Sequence, residues 1–335
     1  MSGSTTETAT GARGTETPHA APRTATLSAA GAQHHPDPGE PVPPQTSASA
    51  PVADCTADSA GGLTFDVRLP AARTPAGEAA LLLRRRPGAS GETEEVRLPL
   101  APVQEAADGT LRAALPSTVR LSEGRWNAFL ALPGRQPRRL TPGLNDLRSL
   151  VDRVPQENRS WLGVRIPYAT KNGNLSIRAW VRWPHAEAGA LRVDEGGLEL
   201  SGRLYGAKVT PTARLEARPR RGEGPPVVAE VRAGDGDARD FTAALPYPPL
   251  AVHRLWDLWL RPAEDAEAVR VARILDDVPD KKRIFTYPAR PVRPVAGAGA
   301  GAGVGDRAGD ARTLTARPYY TLNNDLAVAV ERAAS

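Results

Sequence analysis

The chain has 335 residues, enough for two domains of ordinary size. It carries 43 Lys and Arg against 38 Asp and Glu, a net charge of +5, and only four of its cations are Lys. A single cysteine, Cys55, excludes an intrachain disulfide and a thiolate metal cluster, and no stretch approaches the ~20 apolar residues that span a bilayer.

Residues 1–60 contain no Trp, Tyr, Phe or Ile, and Leu27 is their one Leu. Such a segment buries too little apolar surface to offset the entropy of ordering it, so a disordered tail is predicted over 1–60. The tail lacks the basic start and apolar run of a signal peptide. A cytoplasmic location is expected, peripheral at the membrane only through a partner. Cys55, with no His or basic residue nearby, reads as incidental. The tail is net −4, which leaves +9 on the remainder. A basic body suits an anionic polymer or surface, although solvated Arg on strand faces explains the same count.

Beyond the tail the chain repeats itself. Gly61–Leu69 matches Gly196–Leu204, and Ala113–Pro116 matches Ala243–Pro246. Trp126–Leu130 matches Trp256–Leu260, and Asp152–Pro155 matches Asp276–Pro279. Pro167–Ile177 matches Pro318–Val328 at an offset of 151. The blocks keep their order and the offsets change only between blocks, as loop-length differences require. Two modules are therefore predicted, 61–184 and 195–333, the second with a Gly/Ala-rich loop insertion at about 290–316.

Within each module the apolar residues alternate. Leu63, Phe65, Val67 and Leu69 share one parity, as do Leu175, Ile177, Ala179, Val181 and Trp183; Trp180 breaks the second pattern. Period two marks half-buried strands. Asn172-Gly173 reads as a hairpin turn, and 263–276 as a strand after a polar turn. Short strands between Gly, Pro and Asp turns have the spacing of a sandwich. The fold class predicted is all-β: two tandem immunoglobulin-like β-sandwich modules behind the tail.

The candidate chemistry is sparse. Asp276-Asp277-Val278-Pro279-Asp280 looks like a hard-cation cluster, but two of its three acids have no counterpart at Asp152–Gln156, and it reads as a turn. The tract 297–305 imitates a dinucleotide glycine pattern without the strand and helix that pattern requires; it reads as a low-complexity loop. His185 and His253 are the only histidines in the modules and stand at unrelated repeat positions, which suits neither a triad nor a multi-His metal site. No catalytic residue, metal site or cofactor is predicted. The repeated pairs Trp126/Trp256 and Tyr168/Tyr319 read as core. A ligand-binding aromatic patch is sought first at Trp161, Trp180 and Trp183. Arg84, Arg85 and Arg86, and Arg218, Arg220 and Arg221, fall at similar places in the two modules. They suit either a phosphate-contacting basic edge or protection of a sheet edge, and edge protection is the reading preferred.

Trp256–Leu260, Phe241–Pro246 and Arg317–Leu326 resemble a group of proteins from GC-rich Gram-positive bacteria that are often simply called transferases. The modules also look like immunoglobulin-like modules accompanying teichoic-acid-type glycosyltransferases and CDP-glycerol glycerophosphotransferases. The resemblance covers about 61–335, and its motifs are structural. It implies a non-catalytic accessory or scaffold protein associated with glycopolymer transferases of the cell envelope. The alternatives are a glycan or anionic-polymer binding module, and a glycosyl- or glycerophosphotransferase in its own right. The partners implied are a glycopolymer transferase or a cell-wall polymer. No nucleic acid is expected, and a homo-oligomer is left open.

Overall fold

A computed structural model describes residues 50–69, 78–88, 91, 93–104, 109–151, 153–156, 160–292 and 314–333. Most of the expected tail and the tract 297–305 lie outside the described residues. The described chain is nearly all β, with three short 3-10 turns at Arg148–Leu150, Pro248–Val252 and Lys281–Arg283.

The first half contains β1 (Val52–Ala57), β2 (Leu63–Arg68), β3 (Ala80–Arg85), β4 (Glu95–Pro99), β5 (Ala101–Pro102), β6 (Leu111–Leu115), β7 (Gly124–Ala131), β8 (Arg138–Arg139), β9 (Thr141–Asp146), β10 (Leu162–Ala169) and β11 (Leu175–Arg182). They form two sheets, ordered β5-β6-β2-β1-β9 and β10-β11-β7-β3-β4, with β8 also on β7. The second half contains β12 (His185–Val193), β13 (Gly197–Tyr205), β14 (Arg214–Pro219), β15 (Val227–Ala233), β16 (Asp240–Pro246), β17 (Leu255–Arg261), β18 (Val269–Ala272), β19 (Arg290–Val292), β20 (Leu314–Tyr320) and β21 (Leu326–Arg332).

Pairing recurs between the halves in register. Leu63 faces Leu115 as Leu198 faces Leu245. Trp126 faces Ile177 as Trp256 faces Val328. β1 lies antiparallel to β2 and parallel to β9, as β12 lies antiparallel to β13 and parallel to β18. Both leading strands fall outside the expected module limits. β1 lies within the segment expected to be tail, where Ala53, Cys55 and Ala57 are buried. Small residues alternating with polar ones suffice there, because β2 and β9 cover the strand from both sides.

The halves differ in closure, which corrects the expectation of two sandwiches. In the second half, β14-β15-β16-β13-β12-β18-β17 returns to β14 and forms a closed barrel of seven strands. Continuous β15 pairs with both β14 and β16, and β18 with both β17 and β12, so each carries the ladder from one layer to the other. In the first half the same crossings are made by chain that changes partner, from β4 to β5 around Leu100 and from β8 to β9 around Leu140. Pro99 and Pro102 flank the first change, and neither can donate to a ladder.

Trp126 and Trp256 are buried as expected, and each indole Nε1 donates to backbone carbonyls: Ser122 at 3.0 Å for Trp126, Leu250 at 2.9 Å for Trp256. The β10–β11 hairpin turns at Gly173, φ +70°; its counterpart turns at Asn324, φ +60°. Both residues adopt the left-handed conformation that Gly and Asn tolerate best.

The halves meet at β11. Trp180 Nε1 donates to the Asn323 carbonyl at 2.9 Å, and Arg178 donates to Leu322 O at 2.7 Å and Asn323 Oδ1 at 2.6 Å. Arg182 pairs with Asp325 at 2.8 Å. Ala272 and Ile274 of the second half complete the core of the first. This cover explains why Arg178 and Trp180 are buried on the outward face of β11 although its sequence alternates only in part.

Candidate functional site

The outward face of the sheet built on β7 and β3 carries a ring between two guanidiniums. Phe129 and Arg139 are cross-strand neighbours, and Arg139 lies 4.9 Å from the Phe129 ring centroid. Arg84, diagonal to Phe129 on β3, lies 5.1 Å from it. The second half repeats the arrangement. Trp259 faces Arg270, whose guanidinium is 5.1 Å from its ring, and Arg218 on β14 lies at 4.8 Å. Both rings are half-buried. Cation–π contact of this kind adds about 0.5–1 kcal/mol at exposed sites.

Next to each ring stands a second repeated group. Arg86 Nε donates to Asn127 Oδ1 at 2.8 Å, and Arg220 Nε donates to Asp257 Oδ1 at 2.9 Å. Arg86 also donates to Ser176 Oγ at 3.1 Å, and Arg220 to the Tyr319 hydroxyl at 2.8 Å. Arg270 completes the second group with a bond of 2.7 Å to Asp257. Burial raises the Asp257 carboxyl, but bonds from Arg220 and Arg270 outweigh it and hold the group below its ordinary value. Glu216 is held down in the same way, against its burial, by Arg261 and Arg218.

The candidate residues divide. Arg84, Arg86, Arg218 and Arg220 join the two faces just described. Arg85 turns elsewhere, bonding Glu94 at 2.7 Å and the Glu123 carbonyl; Arg221 is exposed. β3 and β14 both have neighbours on each side, so there is no edge for these arginines to protect. The three tryptophans do not form one patch. Trp180 is buried at the junction of the halves. Trp161 and Trp183 line a pocket of about 20 Å³, room for one water rather than a sugar ring. On its other side Trp183 reaches a cleft of about 460 Å³ between the halves, lined also by Trp259, Arg270, Arg182, Glu123 and Asp325. Gly206 permits this packing, because a Cβ there would lie 2.5 Å from the Trp183 ring.

Tyr168 and Tyr319 correct a second expectation: they are half-buried on the outward faces, and Tyr320 takes the core position. The acidic run 276–280 is a turn. Asp276 pairs with the buried Lys281 Nζ and accepts from Val278 N at 2.9 Å. His185 is buried and bonds Glu187 at 2.7 Å; Glu187 in turn accepts from the backbone of Ile274 and Leu275. Both sets are structural. Phe129, Trp259, Arg139 and Arg270 were not singled out from sequence. The signal existed, since Phe129/Trp259 and Arg139/Arg270 recur at offsets of 130 and 131.

Fold and face together define an all-β protein with a duplicated arginine–aromatic surface. No family model matches the chain, and no curated protein matches it. Among solved structures it is similar to S. aureus TarS 217–571, with 12% identity and a TM-score of 0.26, covering 59% of this chain and 56% of that one. A structure of S. aureus TarS is similar at 13% identity and a TM-score of 0.27, covering 58% of this chain and 35% of that one. The chain thus spans about half of the first and a third of the second, and a likeness at these scores carries no argument about activity.

Proposed function

We propose that this chain is a non-catalytic module that binds an anionic glycopolymer of the cell envelope and presents it to a transferase. The observation that carries the reading is the repetition, at equivalent positions, of an aromatic ring held between two arginines on an outward strand face. Guanidinium forks form charge-assisted, bidentate bonds with phosphate and carboxylate. A half-exposed ring beside them offers a flat apolar face to a sugar. The contact residues proposed are Arg84, Arg86, Phe129 and Arg139 in the first half, and Arg218, Arg220, Trp259 and Arg270 in the second, with Trp183 of the first half beside Trp259 in the cleft. The cell-envelope setting and the transferase partner come from the resemblance carried by Trp256–Leu260 and Arg317–Leu326. Each half is read as one copied unit of immunoglobulin-like ancestry that starts one strand before its Gly-Gly, at 50–184 and 185–333.

Titration with a poly(glycerol phosphate) chain tests the reading. Binding is expected at low salt, weakening roughly tenfold or more between 50 and 300 mM salt as screening shortens the reach of the arginines. Flat curves at low salt overturn it. Turnover of a CDP- or UDP-activated donor by the purified chain would instead establish the enzyme alternative.

A further inference from the structure

The two copies of the face differ in one charge. In the second half the Asp257 carboxylate sits between Arg220 and Arg270, at 2.5 and 2.7 Å. In the first half the equivalent position is Asn127, and the equivalent arginines are Arg86 and Arg139. Their acceptors are neutral: Asn127 Oδ1 and Ser176 Oγ for Arg86, and Leu175 O at 3.1 Å and Ser176 Oγ at 3.3 Å for Arg139. Arg139 Nη1 is buried with no hydrogen-bond partner. Two further arginines crowd the same face. Arg178, which is 5% exposed, lies directly across the ladder from Arg125, and its Nε is buried without a partner. Like charges facing each other across a ladder repel. Burial, followed by the charge of Arg86, makes Arg139 easier to deprotonate than a free arginine. The Tyr168 phenol acts on Arg139 in the opposite sense without outweighing them, and Glu95 is spent on Arg84 at 2.6 Å.

From this asymmetry we infer that the first half holds an external phosphoryl group between Arg86 and Arg139, over Asn127 and Ser176, where the second half holds its own carboxylate. Two guanidinium forks that meet on neutral acceptors leave their charge uncompensated, and a tetrahedral oxyanion offers oxygens to both. The Asn127 amide adds a neutral donor, while the buried Ser176 hydroxyl donates to Asn127 Oδ1 at 3.2 Å and fixes the floor on which both guanidiniums rest. The inference deepens the polymer-binding reading by naming which half takes the phosphate and why the other does not.

Calorimetric titration of the full chain with inorganic phosphate at low ionic strength, with chloride as the background anion, tests it. One site per chain is expected. Asn127→Asp places a carboxylate between the arginines and is expected to weaken phosphate binding at least tenfold while raising the melting temperature in phosphate-free buffer. Asp257→Asn is the reciprocal change and is expected to give two sites. Should that variant not fold, the Asn127→Asp arm decides alone. Absence of phosphate binding, equal binding by Asn127→Asp, or acetate binding as tightly as phosphate overturns the inference. Wild type that binds poly(glycerol phosphate) but not inorganic phosphate overturns this site and leaves the polymer reading standing. Wild type that binds phosphate but not the polymer does the reverse.

Discussion

Asp257 shows what one carboxylate does when two arginines converge on it. Replacing it with Asn leaves Arg220 and Arg270 facing each other, and a loss of about 2 kcal/mol is expected at pH 7 from the charged hydrogen bonds removed. The sign of the pH dependence follows from the lowered carboxyl. Its contribution is present above the unfolded value near 3.8 and disappears as pH falls through the folded value. Urea midpoints of wild type and Asp257→Asn are therefore expected to differ at pH 7 and to converge in acid; a constant difference contradicts the assignment. Cys55 is the opposite case. Burial pushes its thiol up to about 12, so the folded chain keeps the proton that the unfolded chain loses above about 9. Its alkylation at pH 8 is expected to follow the unfolding rate. Labelling at the rate of a free thiol would show that β1 is not packed as described. Arg165 adds a third residue-scale lesson: buried, it donates to the carbonyls of Gly61, Pro116 and Val119, and burial lowers it to about 10. One guanidinium thus ties three backbone acceptors of the loops beside β2 and β6.

The strands explain how far residue patterns reach. The repeat, the hairpin at Gly173 and the strand at Val269–Ala272 were readable because they depend on local alternation and turn chemistry. β1 and β12 were not. Val52–Ala57 lacks any large apolar residue, and His185–Val193 is mostly Ala, Gly and polar residues, so neither stands out until its neighbours are known. The arginine–aromatic faces were hidden for a related reason: Phe129 meets Arg139, and Trp259 meets Arg270, only through strand register. Trp126→Ala or Trp256→Ala removes a fully buried indole and its hydrogen bond, and a loss of about 3–5 kcal/mol is expected for each by chemical denaturation. Removing residues 1–57 uncovers the pairing edges of β2 and β9, whereas removing residues 1–49 leaves β1 in place. The first truncation is expected to melt lower and to associate through the freed edges. Equal melting of the two would show that β1 contributes nothing.

At the scale of the whole molecule, the junction decides whether the halves act as one body. Trp180, Arg178 and Arg182 all reach the turn at Leu322–Asp325, and Glu187 holds the backbone of Ile274 and Leu275. A single cooperative melting transition is expected for the wild type. The double change Trp180→Phe with Arg182→Met removes the bond to Asn323 and the pair with Asp325, and is expected to split calorimetric melting into two transitions. A single unsplit transition would place the coupling elsewhere, in the packing of Ile274. The sequence showed that β11 was unusual, through Trp180 against the alternation, but only the second half supplies the cover that makes sense of it.

Only Trp183 and Pro184 separate the end of β11 from the start of β12. Two residues reach about 7 Å when fully extended, too little to let either half swivel freely. The two basic surfaces are therefore mounted at one spacing, like the jaws of a fixed gauge. A chain whose charges recur at a matching interval can seat on both without rearranging the protein, and its second contact then forms at an effective concentration set by geometry.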